Sequence, residues 1–138
     1  MTPNPSTVDA LAELIRETLA LDEGDEISAN KLLFYDLDFT SIDLLDLLFR
    51  VEEELGVGIP EGTIYRLARG DLDDAEFCDA GHLTDAGRAQ LIELLSDSPP
   101  SIFPDRIHHQ TLPKYCTVGA IARLIDAARV DPGMLETG

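Results

Sequence analysis

The sequence predicts a small all-α protein, and three observations carry that prediction. Its 138 residues suffice for one domain, spanning 1–138, that buries roughly two-thirds of the surface exposed by the unfolded chain. Apolar residues recur at helical spacing in several separate segments. Residues that favour helix starts and stops flank those segments, and the chain has no internal repeat. We therefore expect one helical domain with one core.

The N-terminal part of the chain is expected to form one helix followed by a long loop. The helix is predicted with Ser6 as its N-cap. Its apolar stripe consists of Val8, Leu11, Ile15 and Leu19. Residues 21–39 contain glycine, aspartate and asparagine, which break helices, so this segment should be a loop. Its apolar residues should pin it to the core: Ile27, Leu32, Leu33 and Leu37.

A second helix is predicted to begin near Thr40 and Ser41 and to stop at Gly56. Its principal stripe is Leu44, Leu48, Val51 and Leu55, widened by Leu45, Leu47 and Phe49. The residues alone leave two roles open for Ser41. A serine before an apolar run usually caps the helix. A serine on the first turn can also hold a phosphate ester, because the helix N-terminus favours an anion by roughly 0.3–1 kcal/mol.

The C-terminal half is expected to contain three further helices. Pro60 suits the first position of a short helix that ends at Gly70, with Ile64, Leu67 and Ala68 facing inward. Thr84 should cap a helix whose apolar side is Leu91, Leu94 and Leu95, although Gly87 weakens that helix by about 1 kcal/mol relative to alanine. Residues 96–115 contain four prolines and should form an irregular crossing. Thr117 should cap the last helix, with Pro132 beyond its end and an apolar stripe of Val118, Ile121, Leu124 and Ile125.

Composition limits the classes of partner. The formal net charge of −17 repels nucleic acid and anionic lipid and attracts basic proteins, although solubility alone explains an acidic surface equally well. No apolar run approaches the ~20 residues of a membrane span, so membrane insertion is not expected. The N-terminus, MTPNPSTVDA, lacks the features of a secretory signal. We expect a cytoplasmic protein in which Cys78 and Cys116 are reduced thiols.

The stretch TSIDLLDLLFRVEEELGVGIP, which begins at Thr40, resembles the acyl carrier protein family. That family has a serine opening its second helix within a D-S-L pattern, then an acidic apolar helix and an Ile-Pro pair. Asp36 and Leu37 match its D-L-G approach, and CTVGAIARLID is similar to the T-V opening of its last helix. Thr40 replaces the usual aspartate and Asp38 the usual glycine, so two residues before Ser41 depart from the pattern that a transferase meets in the family. Most of 61–113 has no counterpart in the compact carrier.

The resemblance implies a four-helix bundle with a helical insertion, within 61–113, between the second helix and the last. It also implies that a phosphopantetheinyl transferase attaches 4′-phosphopantetheine covalently to Ser41. The thiol of that arm would hold acyl groups as thioesters for acyl-transferring and acyl-modifying enzymes. The protein itself would be a monomeric, non-catalytic carrier. Its extra residues suggest a specialised lipid or polyketide-type pathway, by analogy with stand-alone bacterial carriers.

Acidic residues of the second helix are candidates for docking onto basic surfaces of those enzymes. An ordinary solvated helix face is an equally good explanation for any one of them. Taken as a group they fit partner docking, with Glu52 the least certain. The candidates are Asp43, Asp46, Glu53 and Glu54.

Other chemistries have weaker support in the sequence. The serine lacks the G-x-S-x-G surroundings of a hydrolase, and no glycine loop has phosphate-binding spacing. An unmodified acidic adaptor and a peptidyl or aminoacyl carrier remain as alternatives. Residue types that bind zinc are present, but they do not have the spacing of a compact zinc motif, so no metal is expected: Cys78, His82, His108, His109 and Cys116.

Overall fold

The computed structural model describes residues 3–22, 24–59 and 62–130 and is mainly helical, as predicted. A two-stranded antiparallel sheet interrupts the helices, pairing Cys78 with Leu83 and Asp79 with His82. The described α-helices are α1 (Pro5–Leu19), α2 (Ser41–Leu55), α3 (Thr63–Arg69), α4 (Asp74–Phe77), α5 (Asp85–Leu94) and α6 (Val118–Val130). The strands are β1 (Cys78–Asp79) and β2 (His82–Leu83), and two 3₁₀ helices span Pro100–Ile102 and His109–Tyr115. The predictions for Pro60 and Pro132 lie outside the described residues.

Helix α1 packs against both α2 and α6, while α3 packs against α5 and against the 3₁₀ helix His109–Tyr115. One continuous apolar core joins these two groups of helices. Leu47 of α2, Leu91 of α5 and Ile125 of α6 are all fully buried in it. The segment 61–113 therefore shares the core of the rest of the chain and does not enclose a core of its own.

The N-cap predicted for α1 is wrong. The cap is Asn4, whose side-chain oxygen accepts a hydrogen bond of 2.9 Å from the backbone N–H of Ser6. Pro5 occupies the first helical position, where its fixed φ and missing N–H carry no penalty. Asn4 and Pro5 thus start the helix before Ser6, which lies inside the first turn. The predicted stripe is confirmed, with Leu11 and Ile15 fully buried.

The long loop before α2 is attached to the start of α6, and its predicted apolar anchors are confirmed. Leu33 is fully buried, and its backbone N–H donates to the carbonyl of Cys116 at 3.1 Å. The N–H of Val118 donates to the carbonyl of Lys31 at 2.9 Å. Phe39, which the sequence did not single out, is also buried. These contacts hold the approach to α2 against the core.

The insertion is ordered by caps and by backbone pairing. Thr84 caps α5 as predicted, its hydroxyl oxygen accepting from the N–H of Gly87 at 3.1 Å. Residues 96–115 form the expected irregular crossing, and the N–H of Leu83 donates to the carbonyl of Ile107 at 2.8 Å. The crossing thereby extends the edge of the small sheet. It also leads into α6, where Thr117 caps the helix as predicted by accepting from the N–H of Ala120.

Candidate functional site

Thr40 is the residue that caps α2. Its hydroxyl oxygen accepts from the backbone N–H of Asp43 at 3.2 Å, and Asp43 Oδ2 accepts from the backbone N–H of Thr40 at 2.9 Å. This reciprocal pair is a capping box. Two of the unpaired N–H groups at the helix start are satisfied without Ser41. Threonine therefore performs the capping that the sequence left open between two hydroxyl residues.

Ser41 is the first residue of α2 and is exposed. Its hydroxyl makes no hydrogen bond to any residue that the structure describes. It lies on the first turn, where backbone N–H groups and the positive end of the helix dipole favour an attached anion. Of the two roles that the sequence allowed, the structure assigns the cap to Thr40 and leaves the Ser41 hydroxyl free for chemistry.

The approach to Ser41 contains an unusual backbone conformation at Asp38. Its φ is 55°, in the left-handed region that most residues other than glycine avoid. Aspartate is among the residues that tolerate this region best. The resemblance led us to expect glycine here, and the conformation explains why glycine would suit the position. The replacement therefore preserves the backbone path towards Ser41.

A cavity of about 850 Å³ opens beside Ser41, which forms part of its lining. Its volume lies within the range of roughly 300–1,000 Å³ typical of sites for small organic ligands. The cavity runs between α2, α3, α6 and the 3₁₀ helix His109–Tyr115. Most of the lining is apolar and includes Leu44, Leu48, Ile59, Ile64, Ile121 and Leu124. The arrangement can shelter an apolar chain beside the Ser41 hydroxyl.

The four predicted docking acids differ in their surroundings. Asp43 is engaged in the capping box, and Asp46 pairs with Arg50 at 3.4 Å on the next turn. Glu53 and Glu54 are exposed near the end of α2 and form no ion pair with a described residue. The last two acids are therefore the ones most available to a basic partner.

Helix α2 also exposes apolar side chains, contrary to part of the sequence analysis. Leu45 and Phe49 were expected to widen the buried stripe, yet they are 53% and 60% exposed. Ile42 is 77% exposed beside them. Apolar residues surround most of α2, and α2 packs against α1 with Leu47 and Val51 fully buried. Leu44, Leu48 and Leu55 are half-buried. The exposed apolar residues form a surface stripe, which we define as Ile42, Leu45 and Phe49.

The histidines and cysteines do not assemble a metal site. Within the described residues, no group of three or more His, Cys, Asp or Glu side chains is placed to hold a metal ion. Cys78 is half-buried and Cys116 is buried, and both are free thiols. Burial raises the pKa of Cys116 to about 12, so its reactive thiolate form is scarce at neutral pH. Among the described helices, none is long and apolar enough to cross a membrane.

Comparison with known proteins indicates what kind of group the segment containing α2 holds. Residues 9–70 match the family model described as "Phosphopantetheine attachment site". The chain is 37% identical over 64 residues to acyl carrier protein 2, chloroplastic, of Arabidopsis thaliana, covering 46% of this chain and 46% of that protein. It is 36% identical over 55 residues to acyl carrier protein AcpXL of Brucella melitensis, covering 40% of this chain and 58% of that protein. No solved structure matches the chain.

These relatives are matched over only part of their length, since the chain spans about half of each. The matched residues nevertheless include the capped start of α2, the free Ser41 hydroxyl and much of the adjoining cavity. The family's group is attached covalently, and an exposed serine with no competing hydrogen bond fits that requirement. Residues 9–70 therefore match a domain that is the attachment site for covalent phosphopantetheine, and part of the chain is similar in sequence to acyl carrier proteins.

Proposed function

We propose that this protein is a non-catalytic acyl carrier whose 4′-phosphopantetheine arm is attached to Ser41. The observation that carries the proposal is the free, exposed hydroxyl at the first residue of α2 within the family-matched segment. When attached, the arm supplies a terminal thiol that holds an acyl group as a thioester. The chain's own part is to present the hydroxyl, stabilise the ester and shelter the acyl group.

Attachment breaks the phosphoanhydride bond of coenzyme A and forms a phosphate ester bond to Ser41. The Ser41 oxygen bonds to the phosphorus of coenzyme A that bears the pantetheine arm, the bond from that phosphorus to the adenosine bisphosphate half breaks, and the hydroxyl proton passes to the transferase or solvent. The product carries a negative phosphodiester on the first turn of α2. There the helix N-terminus stabilises an anion by roughly 0.3–1 kcal/mol. The capping box keeps that turn formed without occupying Ser41.

Partners of this carrier would be a phosphopantetheinyl transferase and acyl-handling enzymes with basic docking surfaces. The net charge of −17 and the exposed acids Glu53 and Glu54 support steering of such partners. The exposed stripe Ile42, Leu45 and Phe49 adds apolar area beside Ser41, as in the core of many protein interfaces. We propose that the carrier acts as a monomer in the cytoplasm, a setting that suits its two free thiols.

We further propose that the carrier serves a specialised lipid or polyketide-type pathway. The family match ends at residue 70, while residues 71–113 supply further helices and part of the cavity lining. A carrier shared among many enzymes has little use for such an addition, whereas a dedicated carrier can use it to select cargo or partner. A peptidyl or aminoacyl carrier would use the same arm and Ser41, but the apolar cavity favours acyl cargo.

The test is to incubate the protein with coenzyme A, magnesium and a promiscuous phosphopantetheinyl transferase, followed by mass spectrometry of the intact chain. One phosphopantetheinyl mass should be gained, and Ser41→Ala should abolish the gain. Ser6→Ala, at another exposed helical serine, is the matched control and should remain fully modifiable. A wild-type protein that stays unmodified with several transferases would favour the unmodified adaptor instead.

A further inference from the structure

The cavity beside Ser41 extends beyond the part of the chain that matches the carrier family. The match ends at residue 70, yet Asp74, Cys78 and His109 also line the cavity. Cys78 comes from the small sheet and His109 from the 3₁₀ helix that precedes α6. The insertion therefore does more than cover the outside of the bundle, because it forms one wall of the cargo space.

Beside the apolar Leu112 and Pro113, this wall carries polar side chains, whereas α2 and α6 supply mainly apolar lining. The Tyr65 hydroxyl donates to Asp74 Oδ1 at 3.4 Å, and the Tyr65 ring lies edge-on to the ring of His109, with centroids 6.2 Å apart. Asp74 also pairs with Arg69 at 3.2 Å. The side chains of Cys78 and His109 are half-buried and make no hydrogen bond to any described residue. Both side chains therefore lack a hydrogen-bond partner within the described chain.

We propose that this wall binds the distal end of the carried acyl chain, and that this end bears a neutral oxygen group such as a hydroxyl. The proposal rests on attachment at Ser41, which lines the same cavity. A saturated chain end would displace water from Cys78 and His109 without replacing its hydrogen bonds, which is unfavourable. A hydroxyl can donate to or accept from the imidazole and so satisfies it. Sites that hydrogen-bond a hydroxyl discriminate strongly against analogues that lack it.

Charge at this wall favours a neutral oxygen group over a carboxylate. The carboxylate of Asp74 lines the same wall, and its nearby cation, Arg69, is already paired with it. Lys114 lines the cavity too, but it is exposed, as Asp74 is, so water screens both charges. Among the described lining residues, no buried, unpaired cation is therefore present to hold a carboxylate. A second carboxylate would also add to a chain whose net charge is already −17. We therefore expect this wall to bind hydroxylated chains in preference to dicarboxylic ones.

The rate at which the Cys78 thiol is alkylated shows whether the acyl chain lies against this wall. Protein would be loaded at Ser41 with arms bearing acetyl, dodecanoyl or a dodecanoyl chain hydroxylated near its end, each joined through an amide so that no arm thiol remains. Alkylation of Cys78 by iodoacetamide would then be timed by peptide mass spectrometry. Cys116 should not interfere, because it is buried and its pKa is raised to about 12. Both long chains should slow alkylation relative to acetyl, the hydroxylated one by about a further fivefold, as one net hydrogen bond implies.

Two variants distinguish a hydrogen bond between His109 and the chain end from mere filling of the cavity by the acyl chain. His109→Leu should remove the advantage of the hydroxylated chain while dodecanoyl still protects Cys78. His82→Leu makes the same chemical change at a residue that does not line the cavity, and it should retain the advantage. Equal alkylation rates for acetyl and dodecanoyl protein would overturn the proposal, as would equal protection by saturated and hydroxylated chains in wild type. Strongest protection by a dodecanedioyl arm would overturn the choice of a neutral group.

The mass of the loaded protein distinguishes this inference from the proposed function. If Ser41 gains no arm, the carrier proposal fails and this inference fails with it. If the arm is gained and Cys78 shows no dependence on the chain, the carrier proposal stands and the inference alone is rejected.

Discussion

A Cβ atom placed on Gly87 would lie 2.2 Å from the carbonyl oxygen of Phe77. The start of α5 therefore packs directly on the backbone at the end of α4, at a distance that no side chain allows. Helix propensity alone makes Gly87 a weak point of α5, whereas in the structure its missing side chain allows the close packing on Phe77. Phe77 is itself fully buried, so neither side of this contact can move freely.

Gly87→Ala is expected to destabilise the protein, although alanine is the better helix former. Overpacking of this kind costs about 1–3 kcal/mol. At an exposed helical position the same change would instead stabilise by up to about 1 kcal/mol. Ala89→Gly, at an exposed site in α5, is the control and should cost about 1 kcal/mol. Urea unfolding checks both, and a Gly87→Ala protein as stable as wild type would contradict the close packing.

Substitutions at Thr40 and Ser41 should have different effects, because Thr40 contributes to stability and Ser41 is the proposed site of modification. Thr40→Val removes the side-chain acceptor of the capping box and is expected to lower the free energy of unfolding by about 1 kcal/mol. Ser41→Ala removes a hydroxyl with no hydrogen bond to a described residue, so its effect should stay within about 0.5 kcal/mol. Thermal unfolding of both variants provides the measurement. The reverse order of stabilities would show that the cap had been assigned to the wrong hydroxyl.

Local patterns predicted the regular helices well. The apolar stripes of α1 and α6 and the caps at Thr84 and Thr117 depend on residues within one or two turns of each other, which the sequence displays directly. The role of Ser41 could not be predicted from the neighbouring residues alone. Thr40 offers an equivalent hydroxyl, and only the hydrogen bonds in the structure distinguish the two.

Features that depend on distant residues could not be predicted in this way. Strands β1 and β2 have only two residues each, and a single bridge pairs His82 of β2 with His108 of the crossing, so no periodicity marks them. The exposure of Leu45 and Phe49 depends on which side of α2 meets α1. The polar wall at Cys78 and His109 likewise arises only when the insertion folds back beside α3.

Leu91 should report whether the insertion is an independent addition. Because it is fully buried in the shared core, Leu91→Ala is expected to cost about 2–5 kcal/mol. Ile42→Ala, at a side chain that is 77% exposed, is the control and should change stability by less than about 0.5 kcal/mol. Urea unfolding of the full-length variants measures both.

Replacing residues 71–112 with a short Gly/Ser linker should abolish cooperative thermal unfolding. If the insertion were a separable addition to a carrier core, the remaining chain would still fold, but the continuous core favours the opposite result. The replacement would remove four buried residues of the shared core and expose the apolar surface that they cover: Leu91, Leu95, Phe103 and Ile107. A deletion protein that unfolds cooperatively and accepts the arm would restore the separable model.

Stability should fall at mildly acidic pH because of His108. Partial burial lowers the pKa of His108, and the adjacent His109 and His82 lower it further. The unfolded chain takes up a proton near pH 6.5, while the folded protein keeps His108 neutral to a lower pH. The contribution of His108 is therefore complete above pH 6.5 and is lost as pH falls towards the lowered pKa.

His108→Asn should reduce this pH dependence. The backbone N–H of Gln110 donates to Nδ1 of His108 at 3.1 Å, and asparagine keeps a side-chain acceptor without a titrating group. Free energies of unfolding for wild type and variant would be compared from pH 7.5 to pH 5. As pH falls, the free energy of unfolding should decrease more in wild type than in the variant. Parallel curves would contradict the role given to His108.

Charge reversal on α2 should slow partner association without disturbing the fold. Glu53→Lys with Glu54→Lys is the sharper test, because Asp43 belongs to the capping box and Asp46 pairs with Arg50, so reversing those would also weaken the helix. The matched control is Glu93→Lys with Asp105→Lys, which makes the same charge change at exposed positions of the insertion.

With a phosphopantetheinyl transferase or another basic partner, stopped-flow association should slow by about tenfold at low ionic strength for the α2 variant. Its control should associate nearly as fast as wild type. Salt should narrow the difference, since exposed charges are screened over about 10 Å at 0.1 M. Equal slowing of both variants would indicate that the net charge, and not the end of α2, steers partners. Circular dichroism should show that both variants keep the helical content of the wild type.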